Sequence, residues 1–166
     1  MFRKKKKDVP APAQKPDRLS ADPAFSGLSI PVANETALGF NGLTLAFLGD
    51  AVYELMVRSA VLARSPGKAA DLHKKTIGYA NAAFQAEAAR RLLPELTENE
   101  KAAFLRGRNA SPGHVPKNKS GADYHMATAL EALFGYLYLT GQTDRLTALF
   151  ARVSEEAEPY DDTQTP

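Results

Sequence analysis

Thr44-Leu45-Ala46-Phe47-Leu48-Gly49-Asp50-Ala51-Val52-Tyr53 is a run of apolar and small residues around a single carboxylate. Leu43, Phe47, Ala51, Leu55 and Leu62 recur through and beyond it at helical spacing. That period predicts a helix over 43–63, ended by Ser65-Pro66-Gly67. Downstream, the same signals predict a short helix over 69–76 and a third over 79–93, stopped before Pro94. Thr97-Glu98-Asn99-Glu100 is a capping box that opens a fourth helix, reaching about residue 106. Residues 107–122 contain three glycines and two prolines and read as a long loop. A fifth helix is expected over 124–140, bounded by Gly141, and a sixth from a Thr143 cap to about 154. No strand alternation and no internal repeat are present, so the expected fold is all-α with about six helices.

Working outward, the two ends differ in character. Prolines at 10, 12, 16, 23 and 31 and the basic run Arg3 to Lys7 mark 1–37 as a disordered basic arm. It serves either as a solubilising tail or as a non-specific RNA contact that gains affinity by counterion release. Residues 1–18 hold seven basic and two acidic groups, whereas 154–166 hold five acids and no base. The stretch 155–166 is accordingly read as an acidic disordered tail, which leaves one folded domain over 38–154. The net charge of +2 conceals this asymmetry.

Composition removes several classes of function. The 166 residues include no cysteine, which excludes disulfides, a thiol nucleophile and a cysteine-based zinc site. The three histidines, His73, His114 and His125, are too dispersed to suggest a metal cage. No apolar run reaches the roughly 20 residues that span a bilayer, and no apolar segment follows the basic N-terminus. A cytoplasmic protein with no membrane contact is expected.

Two carboxylates, Asp50 and Glu131, stand out for a physical reason. Each lies in an apolar helical stretch, and the helical neighbours of each offer no cation: Ala46, Phe47, Tyr53 and Glu54 for Asp50, and Ala127, Thr128, Phe134 and Gly135 for Glu131. An uncompensated carboxylate in a core is costly. A divalent ion would compensate it, and oxygen-only ligands point to Mg²⁺, with Mn²⁺ able to substitute, over zinc. Each acid could instead cap a helix or pair with a distant Arg or Lys. The small residues Gly49, Ala51, Ala132 and Gly135 would let two helices approach and the carboxylates converge. Glu54 shares a helical face with Asp50, as an outer ligand or as an i,i+4 partner of Arg58.

Phe47-Leu48-Gly49-Asp50-Ala51-Val52 resembles the signature of the ribonuclease III family, and Glu131-Ala132-Leu133-Phe134-Gly135 with Tyr138-Leu139 resembles its second motif. More closely, the chain is similar to the Mini-III members of that family, which consist of the catalytic domain alone. Leu72-His73-Lys74-Lys75, Arg106-Gly107-Arg108-Asn109-Ala110, Pro116-Lys117-Asn118 and the stretch 124–139 resemble Mini-III segments in the same order, over about 40–153. Longer family members carry further acids at the positions of Leu43, Ala46 and Thr128, which this chain lacks. The resemblance implies a metal-dependent phosphodiester hydrolase acting on double-stranded RNA, leaving 5′-phosphate and 3′-hydroxyl ends. Asp50 and Glu131 are its implied catalytic and metal-binding pair, with water, phosphate oxygens and Thr128 completing the shell. It also implies a homodimer in which Phe47 packs across the interface; by spacing alone Phe47 is equally a core residue.

Without an appended binding domain, the RNA must be held by the catalytic domain itself. From 106 to 119 the chain carries Arg106, Arg108, Lys117 and Lys119 and no acid, with Asn109, Ser111 and Asn118 as hydrogen-bonding groups. A basic, polar loop suits A-form RNA, which is read through its backbone and shallow minor groove. Lys74 and Lys75 are a second expected contact, and His114 and His125 could tune binding near neutral pH. The resemblance implies precursor ribosomal RNA as substrate, with a ribosomal protein able to present it. The alternatives are a catalytically silent RNA-binding or ribosome-assembly module of the same fold, and a helical protein-interaction domain.

Overall fold

Asn41 starts the helix that carries Asp50: its side-chain oxygen accepts the backbone N–H of Thr44 at 2.8 Å. In this computed structural model, which describes residues 31–111 and 121–155, seven α-helices follow one another and no strand forms among the described residues. They are α1 (Asn34–Gly39), α2 (Gly42–Arg64), α3 (Ala69–Ala80), α4 (Ala82–Leu92), α5 (Glu98–Arg108), α6 (Gly121–Leu139) and α7 (Thr143–Glu155), with a 3-10 turn at Leu93–Glu95. Helix α6 runs through the middle, buried from Ala127 to Leu130 and from Ala132 to Leu137, with α2, α4 and α5 packed around it. Tyr53, Phe104, Leu130, Leu133, Phe134 and Leu149 are almost wholly removed from water. Each such side chain contributes roughly 1.5–3 kcal/mol of burial.

Glycine sets how closely these helices approach. A Cβ at Gly49 would lie 1.7 Å from the Glu131 carbonyl oxygen, and one at Gly135 would lie 2.1 Å from that of Leu45. The backbones of α2 and α6 therefore touch directly. Gly107 plays the same part between α5 and α6, where its missing Cβ would meet that of Ala132 at 2.6 Å. At the end of α6, Gly141 takes φ 68°. The N–H groups of Gln142 and Gly141 then close on the carbonyls of Leu137 and Tyr138 at 2.9 and 3.1 Å. This is the paired bonding that ends a helix on a left-handed residue.

Several expectations need correction. The stripe that located α2, Leu43, Phe47, Ala51, Leu55 and Leu62, is its exposed side, a point the spacing left open, and the buried side is Leu45, Ala46, Gly49, Val52, Tyr53, Val57 and Val61. The helix is apolar on two faces, so periodicity located it without telling which face is buried. The stretch 34–37, read as the end of a disordered arm, is helical: Tyr136 donates to the Asn34 side chain at 2.8 Å, and the Val32 N–H to the Leu139 carbonyl at 2.8 Å. Six residues are too few for a periodic signal. Helix α3 runs to Ala80, past the expected stop at 76. Asn81 then separates α3 from α4: its amide donates to the Gly78 carbonyl at 2.6 Å while its oxygen accepts the Phe84 N–H at 2.9 Å. Helix α5 continues through Arg108, and α6 begins at Gly121, so the connection is shorter than 107–122. Residues 1–30, 112–120 and 156–166, which hold the basic run and most of the expected arm and tail, lie outside the described residues.

The capping box at Thr97 is present, with the Glu100 carboxylate accepting the Thr97 N–H at 2.8 Å. Glu100 has a second partner that sequence did not indicate. Arg145 of α7 donates to it at 2.8 and 3.1 Å and to the Glu95 carbonyl at 3.0 Å. Burial pushes the Glu100 carboxyl up, but the bonds from Arg145 and Thr97 outweigh this and hold it below its usual range.

Candidate active site

Two helices bring the carboxylates together. Asp50 stands on α2 one residue after Gly49, and Glu131 on α6 is the residue whose carbonyl Gly49 touches. Both line one open cleft of about 370 Å³, together with Leu43, Ala46, Phe47, Gln85, Tyr124 and Thr128. The convergence expected from small residues therefore comes from Gly49 and Gly135. Ala51 is exposed, and Ala132 faces α5 instead.

Asp50 is not in the core. Its side is the exposed one, because the apolar residues that surround it in sequence are divided between two faces of α2. Partial burial in the cleft, and then the charge of Glu54, still push its carboxyl above the ordinary carboxylate value. No cation pairs with it among the described residues; Glu54 is instead bonded to Arg58, the i,i+4 pair expected from sequence. Glu131 is half-buried beside the core. The Tyr53 phenol, which donates to the Tyr79 carbonyl at 2.9 Å, is pushed well up by burial and secondly by the charge of Glu131.

Thr128 is buried at the back of the cleft and donates its hydroxyl to the Tyr124 carbonyl at 3.0 Å. Its oxygen lone pairs remain available. Leu43, Ala46 and Thr128, the three positions where longer members of the resembling family carry acids, all border this cleft. Among the described residues no group of three His, Cys, Asp or Glu is poised to hold a metal. The donor set is thus two carboxylates with neutral oxygens around them, which fits a hard divalent ion that keeps several waters and suits zinc poorly.

Gln85 was not singled out from sequence. It lies on α4 and lines the cleft, with only 3% of its surface exposed. A polar residue among alanines reads as a solvated helix face, so only the packing of α4 on α6 exposes its role.

The expected RNA contacts are dispersed. Arg106 and Arg108 form the last turn of α5 and are exposed, with Asn109 as its cap. Arg106 borders a recess with Asn41, Gly42, Leu43, Thr44, Phe47, Ala110 and Ser111 that shares Leu43 and Phe47 with the cleft. Lys74 and Lys75 are exposed on α3 and border a different recess, with Asp71 and Ser65 to Gly67. Lys117, Lys119, Asn118 and His114 lie outside the described residues. Phe47 is 84% exposed, so it is not a core residue of this chain.

Residues 43–142 match the model of the Ribonuclease III domain. The Mini-ribonuclease 3 of Symbiobacterium thermophilum is 43% identical over 116 residues, 70% of this chain and 89% of that protein. The Mini-ribonuclease 3 of Desulfitobacterium hafniense is 44% identical over 115 residues, 69% of this chain and 73% of that protein. A crystal structure of a Fusobacterium nucleatum protein superposes with a TM-score of 0.64 at 30% identity, covering 69% of this chain and 93% of that one.

Proposed function

The chain belongs to the ribonuclease III family and is an endoribonuclease; from that premise we propose that it cuts double-stranded RNA in a metal-dependent reaction centred on Asp50 and Glu131. The observation that carries this reading is the meeting of these two carboxylates, distant in sequence, in one cleft that Gln85, Tyr124 and Thr128 also line. They would hold Mg²⁺, with Mn²⁺ able to replace it. When bound, the ion supplies an activated water and charge stabilisation at the scissile phosphate. Asp50 and Glu131 fix where that charge sits. Thr128, already oriented by its bond to the Tyr124 carbonyl, offers a neutral oxygen beside them. Hydrolysis leaves 5′-phosphate and 3′-hydroxyl ends.

Arg106 lies at the edge of the recess that adjoins the cleft, where its guanidinium can meet a phosphate of the same duplex. Arg108, Asn109, Lys117 and Lys119 extend that contact, and Lys74 and Lys75 form a more distant one. Phe47 belongs to an interface between two copies of the chain, each copy cutting one strand. Precursor ribosomal RNA is the proposed substrate, with a ribosomal protein able to present it in the cytoplasm. No helix among the described residues is long and apolar enough to cross a membrane.

The deciding experiment is cleavage of a long RNA duplex by the wild type with Mg²⁺, by the wild type with EDTA, and by Asp50→Asn with Mg²⁺. Cutting is expected only in the first, with Asp50→Asn reduced by about 100-fold or more, at least the loss typical of a support residue around a metal. Equal cutting by Asp50→Asn, or cutting in EDTA, would remove Asp50 or the metal from the reaction.

A further inference from the structure

Helix α4 turns five residues away from water: Gln85, Ala86, Ala88, Ala89 and Leu92. Four are small or apolar, as a helix packed on α6 requires. Gln85 is the exception: only 3% of its surface is exposed, and its amide lies at the wall of the open cleft. Its side chain takes no hydrogen bond from any described residue, and it faces the cleft that holds Asp50 and Glu131. A leucine or methionine of the same volume would fill the space more favourably. A polar residue kept at that wall suggests a ligand in the cleft that uses it.

Two carboxylates leave a six-coordinate divalent ion short of protein oxygens. A third acid would add like charge to a site where Asp50 already stands near Glu54. An amide carbonyl adds a hard oxygen with no charge, and glutamine carbonyls are established ligands for such ions. Thr128 is a further neutral donor on the helix of Glu131, with its hydroxyl proton given to the Tyr124 carbonyl and its oxygen lone pairs free; Gln85 adds an oxygen from a different helix. Gln85 approaches from a third helix, so the ion would be clasped by α2, α4 and α6 together.

We propose that the side-chain amide oxygen of Gln85 is the third protein ligand of the divalent ion held by Asp50 and Glu131. This rests on the metal-dependent reading above. The test is calorimetric titration of the full chain with Mn²⁺ alone, without RNA, on the wild type, Gln85→Leu, Gln85→Met, Gln85→Glu and Asp50→Asn. Melting curves in EDTA establish that each variant is folded, and the Leu and Met variants each keep the volume while removing the oxygen. The wild type should bind and Asp50→Asn should not; the Leu and Met variants should bind about tenfold more weakly or worse, on the scale of metal-site support residues. Gln85→Glu should bind at least as tightly as the wild type. Leu and Met variants that bind like the wild type, while Asp50→Asn loses the ion, would overturn the role of Gln85 and leave the metal site standing. A Gln85→Glu variant as weak as Gln85→Leu would reduce Gln85 to a packing role and overturn the proposal as well. Wild type that binds no Mn²⁺, or Asp50→Asn that binds it unchanged, would remove the metal site and this ligand with it.

Discussion

At the scale of the residue, Asp50 is a carboxylate held where its charge is disfavoured. Its carboxyl is held above its ordinary value of 3.8 first by burial and then by Glu54. A carboxyl raised on folding favours the folded state while it is protonated, and that contribution is lost as pH rises through the raised value. The metal-free protein therefore carries an unfavourable charge at neutral pH. Asp50→Asn, in EDTA at pH 7.5, is expected to melt at a higher temperature than the wild type. The gap should narrow toward pH 5, and saturating Mn²⁺ should raise the melting temperature of the wild type alone. A variant less stable than the wild type at pH 7.5 would show that Asp50 has a stabilising partner. The anomaly of one acid in an apolar run made Asp50 and Glu131 legible in sequence. Their neighbour Gln85 was not, since it looks like any polar residue of an alanine-rich helix; nor, away from the cleft, was the pairing of Glu100 with Arg145 of a different helix.

At the scale of the element, what places the site is the contact of α2 with α6. Alanine normally favours a helix interior over glycine by about 1 kcal/mol. At Gly49 the sign should reverse, because the added Cβ would lie 1.7 Å from a backbone oxygen that cannot swing aside. Gly49→Ala is expected to cost about 2–3 kcal/mol, the upper range of overpacking in a core. It should also weaken Mn²⁺ binding, since the helices bearing the two carboxylates are forced apart. Chemical denaturation measures the first effect and metal titration the second, with Gly39→Ala as the control because open space surrounds Gly39. A Gly49→Ala protein as stable as the wild type would mean that α2 and α6 can slide without penalty. The helices themselves were largely legible, since capping box, glycine stop and proline break are local signals. Which face of α2 was inward was not, because that depends on how many partners the helix has.

At the scale of the whole molecule, the exposed side of α2 is the unfinished part. Phe47 is 84% exposed, Leu55 59% and Leu62 57%, on a helix whose opposite side is already in the core. Large apolar side chains left in water along one helix are candidates for cover by a partner. Sedimentation of the wild type at micromolar concentration is expected to give a dimer, and Phe47→Asp a folded monomer with impaired cutting of both strands. A monomeric wild type would transfer that patch to another partner.

The distance along the chain between Asp50 and Glu131 has a consequence for synthesis. A nuclease is made on a particle built largely of RNA, and its own message is RNA too. Translation supplies α2 early, but the second carboxylate follows some 80 residues later, which takes roughly 4–16 s at ordinary elongation rates. The pocket has no opposite wall until α6 has left the exit tunnel and met α2. On the proposed reading, a half-made chain would hold only one of the two carboxylates and could not yet cut, so splitting the pair between distant stretches of polypeptide would act as a safety catch.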